Sequence, residues 1–181
     1  SLDEREWDYW RQHIRAGNLY LNRVTTGAVV LRQPFGGMGK SVFGAGLKAG
    51  GPNYVAQFMD FTDASQPDPR RAPSSEVLAT LCQELETRAE EIPGFSATEV
   101  ARLRGAVASY AESFRVEFSQ EQDHFKLVGQ DNFRSYLPVR ELRVRVHPDD
   151  TPFDVFARVC AGRTVGCRVT VSLLPHAGSA G

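Results

Sequence analysis

Glycine stands at positions 36, 37, 39, 44, 46, 50 and 51, and no other part of the chain restricts the possible folds as strongly as this run. So many residues without a Cβ let backbone N–H groups come close to a ligand or to another stretch of chain. A loop of this kind binds or buries something. Two short runs with strand character, 18–22 and 28–31, lead into it.

Gly39-Lys40-Ser41 has to be tested first against the phosphate-cradling loop that ends in the same three residues. That loop requires a glycine where this chain has Pro34, which has no N–H to donate to a phosphate. The residues after Lys40, Ser41-Val42-Phe43-Gly44, are also a poor opening for the helix whose N-terminus would hold the anion. A free-standing nucleotide-binding protein is therefore rejected.

Three segments carry a more specific likeness. They are Gly17-Asn18-Leu19-Tyr20-Leu21-Asn22-Arg23, then Thr26-Gly27-Ala28-Val29-Val30 followed by Gln33-Pro34-Phe35-Gly36-Gly37, and last Lys48-Ala49-Gly50-Gly51-Pro52-Asn53-Tyr54. Together they resemble the C-terminal end of aldehyde dehydrogenases. Pro-Phe-Gly-Gly points to the wide superfamily. Lys-Ala-Gly-Gly-Pro with Tyr54 following narrows the likeness to glutamate semialdehyde (1-pyrroline-5-carboxylate) dehydrogenases, including the dehydrogenase half of bifunctional proline utilization A enzymes. Between Ser41 and Lys48 the chain is about two residues longer than the commoner Ser-Gly-Thr-Gly-x-Lys form.

Composition agrees with an ordinary globular protein: 41% of the 181 residues are hydrophobic, enough for a core. With 21 basic against 22 acidic side chains there is no global field to hold nucleic acid or an anionic membrane. No charged-then-apolar leader opens the chain, and no apolar run reaches the roughly 20 residues needed to cross a bilayer. Cys82, Cys160 and Cys167 are odd in number without Cys-x-x-Cys spacing, and His13, His124, His147 and His176 are scattered. The expectation is a reducing cytoplasm and no structural metal.

Taken in order, residues 1–15 read as a helix with Trp7, Trp10 and Ile14 on one core-facing stripe. From its abrupt opening the start of the chain is expected to lie inside a larger domain, and Gly17 stands where a helix-ending glycine belongs. Residues 62–74, with three prolines and four charges, read as a linker. An amphipathic helix over 75–92 follows, with Val77, Leu78, Leu81, Leu85 and Ala89 on one face, ended by Pro93-Gly94. Ser96 and Glu99 have capping-box spacing and open a second helix to about Glu117, striped by Val100, Leu103, Val107, Tyr110, Ala111 and Phe114. The two helices form a hairpin.

Residues 117–138 read mostly as loop. In 140–146, Leu142, Val144 and Val146 alternate with charged residues, as in a strand with one wet face. Pro152 opens a helix that runs to Ala161-Gly162, and the β-branched run 164–174 is a second strand. Strand, helix and strand with short connections make a parallel crossover unit. The fold class is thus α/β: residues 1–61 as the end of an aldehyde dehydrogenase catalytic domain, a linker at 62–74, and residues 75–181 as a helical hairpin plus a Rossmann-like partial domain.

That last part, through Gly129, Asn132, Pro138, Ala161-Gly162 and Val171, is similar to the extra superfamily-like C-terminal domain of some long proline utilization A proteins. In a working cofactor domain of the family the first strand leads to a Pro-Trp-Asn turn; here the turn is His147-Pro148-Asp149-Asp150. The ribose-binding lysine aligns with Arg168 or Ser172, neither of them lysine. The resemblance therefore implies a second unit unable to bind NAD productively.

Aldehyde oxidation needs a thiolate, a base, oxyanion donors and a bound nicotinamide. None can be placed here, and each cysteine reads as a small buried hydrophobe. In the family the nucleophile and the NAD site lie upstream of the matched region. The isolated chain is accordingly expected to be inactive. The parent is expected to be an NAD-dependent dehydrogenase converting L-glutamate γ-semialdehyde to L-glutamate in proline catabolism, with FAD in an upstream proline dehydrogenase domain and homo-oligomeric assembly.

What the family places in this region is the pocket for the far end of the substrate. Carried over by position, Gly50 and Gly51 offer backbone N–H groups to the α-carboxylate, and Phe58, on the next strand, forms the wall. Two successive glycines can make such an anion-holding nest without steric cost. From spacing alone a plain turn is an equal reading. Phe35, Phe43 and Tyr54 are assigned to packing. The competing function is an interaction module, in which residues from Ser75 onward act as a lid or oligomerisation element.

Overall fold

The computed structural model describes residues 1–26, 28–29, 32–42, 47–62, 73 and 75–173. The chain divides into two units, Ser1–Asp63 with Asp123–Phe133, and Ala64–Gln122 with Arg134–Gly181. The sequence reading carries 75–181 as one domain, whereas here the segment Asp123–Phe133 belongs with the N-terminal residues. Most of the expected linker, together with Gly27, Val30, Leu31, Phe43, Gly44, Gly46 and the end of the last strand, lies outside the described residues.

The first unit opens with a helix over Glu4–His13 (α1), capped by Asp3, whose carboxylate accepts from the Arg5 N–H at 2.9 Å. Glu4 and Glu6 in the first turn and Arg11 and His13 in the last complement the helix dipole. No residue of α1 is buried: of the stripe expected to face a core, Trp7 and Trp10 are half-buried and Ile14 is exposed. The helix closes at Ile14 in an extended conformation, so Gly17 lies past its end and does not cap it.

No strand forms over residues 18–22, since Asn22 adopts φ 54°, a left-handed conformation that breaks an extended run. Ala28 and Val29 are likewise not in a strand. Beyond them come an antiparallel bridge between Phe35 and Ala49 and two short 3-10 turns, Gly39–Ser41 and Val55–Phe58. Phe58 therefore sits at the end of a helical turn where a strand was expected.

The second unit is built by apolar periodicity. A helix over Glu76–Arg88 (α2) starts at Ser75, whose hydroxyl accepts from the Leu78 N–H at 3.4 Å. Leu78, Cys82, Leu85 and Ala89 recur at helical spacing and are buried together. Val77, expected on that face, is 57% exposed, because one residue back is 100° around the helix. The chain turns at Gly94, with φ 76°, and a second helix over Ala97–Ser113 (α3) begins at Ser96, which accepts from the Glu99 N–H at 3.3 Å. It continues into a π-helical turn, Phe114–Phe118. Val100, Leu103, Val107 and Ala108 are buried on α3.

Glu141–Arg145 (β1) and Arg168–Ser172 (β2) pair in parallel, with Val144 opposite Val171, and a helix over Pro152–Thr164 (α4) connects them. The expected crossover is thus observed. Thr151 and Asp154 close a capping box with Pro152 in the first turn, a pairing the sequence reading passed over. The helix runs past Ala161-Gly162 to Thr164, and the turn falls at Gly166, with φ 80°. Gly162 has a packing reason instead: a Cβ there would lie 2.8 Å from Leu142 Cδ2 and 2.9 Å from Val169 Cγ2, so α4 lies on the two strands at this point. Ala157 and Cys160 of α4 join α2 and α3 in one apolar core.

Candidate functional site

The glycine-rich loop of the first unit is closed at its neck by two backbone hydrogen bonds between Phe35 and Ala49, of 3.1 and 2.9 Å. Asn18 then acts as a surrogate strand. Its amide nitrogen donates to the Pro34 carbonyl at 3.0 Å and its oxygen accepts from the Gly36 N–H at 3.2 Å. From the other side, the Lys48 ammonium donates to the carbonyls of Gly17 and Gly36 at 2.6 and 2.8 Å. Partial burial lowers the Lys48 pKa, and the two carbonyl dipoles are what its charge meets. Gly17 owes its identity to this junction, because a Cβ there would fall 1.8 Å from the Gly36 oxygen.

The chain leaves the loop through a turn in which Gly51 N–H donates to the Lys48 carbonyl at 2.9 Å and Gly50 takes φ 74°. Gly50 needs glycine for that left-handed conformation. A Cβ on Gly51 would stand 3.0 Å from the Lys48 oxygen. Of the two donors expected to meet a carboxylate, Gly51's is thus engaged inside the turn, and the Gly50 N–H is left as the candidate. Phe58 is 76% exposed and meets Tyr54 edge-on, with ring centroids 6.2 Å apart. Phe35 and Tyr54, assigned above to packing, are exposed as well. Gly39-Lys40-Ser41 forms a single 3-10 turn with Gly39 at φ 58°, not the start of an α-helix.

In the second unit the three cysteines are buried. Burial raises the Cys82 thiol, and raises that of Cys160, which also faces Cys82, to about 12. Neither can serve as an activated thiolate near neutral pH. The turn aligned with the family's oxyanion-holding asparagine is used structurally: Asp150 accepts from the His147 N–H at 2.8 Å and from both Arg158 nitrogens at 2.7 and 2.9 Å. The Arg158 guanidinium holds the Asp150 carboxyl down at about 2. Arg168, on β2, reaches Glu141 at 3.6 Å across the sheet. The turn carboxylate and the strand arginine are thus each held in an ion pair. Among the described residues no group of His, Cys, Asp and Glu could hold a metal ion, and no helix is long and apolar enough to cross a membrane.

Sequence reasoning missed the roles of Asn18 and Lys48. A lone lysine after a glycine run was a signal for the second; the first had none. It also missed Gln33, a buried polar residue of the first unit, whose amide nitrogen donates to Asn132 Oδ1 at 2.9 Å.

Residues 1–63 match the aldehyde dehydrogenase family. The 1-pyrroline-5-carboxylate dehydrogenases of Bacillus thuringiensis (strain Al Hakam) and Bacillus cereus (strain B4264) are each 48% identical to this chain over 56 residues, 31% of this chain and 10% of theirs. The solved structure of Proline Utilization A (PutA) from Corynebacterium freiburgense covers 98% of this chain at 32% identity and a TM-score of 0.68, over 16% of its own length. The chain thus spans about a tenth of the length of the curated relatives it matches. It resembles the dehydrogenase region of these enzymes and has an aldehyde dehydrogenase-like α/β fold with a small parallel sheet.

Proposed function

We propose that this chain is part of an NAD-dependent dehydrogenase that oxidises L-glutamate γ-semialdehyde to L-glutamate, in a protein that also carries an FAD-dependent proline dehydrogenase. The observation that carries the reading is where the likenesses stop. The family match ends at residue 63, whereas the likeness to the proline utilization A structure runs along nearly the whole chain. A dehydrogenase alone would account for the first unit and leave the second without a counterpart. The exposed aromatics Phe35, Tyr54, Phe58 and Phe61 support the idea that residues 1–61 are the end of a larger catalytic domain. Residues 62–74 are then a linker, and 75–122 with 134–181 a non-catalytic appendage, which agrees with its inert, buried thiols. A cytoplasmic homo-oligomer goes with this reading.

The nucleophile and the NAD site belong, in this proposal, to parts of the protein outside these residues. What this chain contributes is one end of the substrate pocket. Gly50 supplies an N–H to the α-carboxylate, Gly51 a surface free of side chain, and Phe58 a ring against the carbon chain. Gly51→Val in the longer enzyme should raise KM for the semialdehyde by at least about tenfold, equivalent to about 1.4 kcal/mol, with NAD affinity unchanged. An unchanged KM with weaker NAD binding or a dissociated oligomer would make the pair a structural turn.

A further inference from the structure

Asp123–Phe133 stands in the sequence between α3 and β1, yet it completes the first unit. It departs and returns through a bridge between Gln122 and Arg134, with backbone bonds of 2.9 and 2.8 Å. The Arg134 guanidinium fixes that base, donating to Glu117 at 2.7 Å and lying 4.7 Å from the centre of the Tyr136 ring. Above the base the segment is braced from within. The Asp123 carboxylate accepts from the N–H groups of Phe125, Lys126 and Asn132 at 3.2, 3.0 and 3.1 Å. Lys126 and Gly129 turn the chain in left-handed conformations, with φ 43° and 83°.

Two side chains of this braced segment meet residues from the N-terminal part of the chain. Gln130 Oε1 accepts from Arg23 at 2.8 Å, and Asn132 Oδ1 accepts from Gln33 Nε2 at 2.9 Å. Gln33 is 9% exposed, and its own N–H is tied to the Val29 carbonyl at 2.8 Å. It directly precedes Pro34, Phe35 and Gly36, the residues through which Asn18, Lys48 and Ala49 hold the neck of the glycine loop. Gln33 Oε1 and Asn132 Nδ2 are buried and make no further hydrogen bond among the described residues, so this one contact is what fixes both amides.

We infer that Asp123–Phe133 is a clamp on Arg23 and Gln33, with the Gln33–Asn132 amide pair as its latch, and that it sets the geometry of the glycine loop. Asn132 is then a positioning residue. For its effect on catalysis the inference rests on the function proposed above; for its effect on order it does not.

The test is amide hydrogen exchange by NMR on the 181-residue chain with Asn132→Ala and, as a milder variant, Arg23→Ala. In Asn132→Ala the N–H groups of Gln33, Gly36 and Ala49 should exchange at least about fivefold faster, together with that of Lys126, while those of α3 stay within twofold. Arg23→Ala should move the same amides less. Faster exchange confined to 123–133 would overturn the clamp, and so would loss of protection in α3, which would make the segment a support of the second unit. In the longer enzyme Asn132→Ala should raise KM for the semialdehyde severalfold with kcat within twofold. If exchange at Gly36 rises while KM stays unchanged, the clamp stands and the substrate pocket does not lie at this loop.

Discussion

Each of the two units is stabilised internally by a different kind of force. In the second, ten side chains from Leu78 to Cys160 form one buried apolar cluster drawn from α2, α3, α4 and their connections. In the first, no apolar side chain is buried among the described residues, and what fixes the chain is polar: Asn18 on Pro34 and Gly36, Lys48 on Gly17 and Gly36, Gln33 on Asn132. Hydrogen bonds specify a shape well but add little net stability, about 0.5–1.5 kcal/mol each. A buried Leu or Val side chain adds about 1.5–3 kcal/mol. One unit can therefore stand on its own contacts, while the other has a defined geometry and little to stabilise it.

That contrast can be broken experimentally, because both tryptophans, Trp7 and Trp10, lie in the first unit. The largest effect expected is that of Leu103→Ala, which empties a fully buried position and should cost about 2–5 kcal/mol. In a urea titration the helical circular dichroism should lose its midpoint while tryptophan fluorescence keeps its own. If both move in step, the two units unfold as one and the contrast fails.

A smaller effect is expected of Gly162→Val, where the new side chain runs into Leu142 and Val169. Overpacking of this kind costs about 1–3 kcal/mol and should again move only the circular dichroism. Smallest of all is Phe58→Ala. With its ring 76% exposed, the substitution should leave the stability of the 181-residue chain within about 0.5 kcal/mol. A larger loss in thermal unfolding would mean that the first unit has an apolar contact on which its fold depends.

The same contrast explains what could be read from the sequence. Ser75 and Ser96 capped helices, and Leu103 and Val107 kept their stripe, because period, cap and burial act within a few residues of one another. The crossover from β1 through α4 to β2 was legible for the same reason. Errors there were local: Val77 was placed on the buried face, and the end of α4 was set at Gly162. In the first unit, residues 18–22 look β-like in composition, but a strand needs a partner, and Asn22 turns the chain instead. The expected anchor at Gly50 and Gly51 was visible as two glycines. Only the structure shows that Gly51 spends its N–H on Lys48. The pairing of Gln33 with Asn132 links residues far apart in the chain and leaves no local pattern.

Burial of the thiols has a practical consequence. All three cysteines lie in the second unit, and burial pushes the Cys160 thiol up to about 12, so it stays protonated at neutral pH. An alkylating reagent reaches it only during the moments when α2, α3 and α4 part. The rate of adduct formation, followed by mass spectrometry, is therefore a clock for the opening of that unit, and it keeps time without any engineered label.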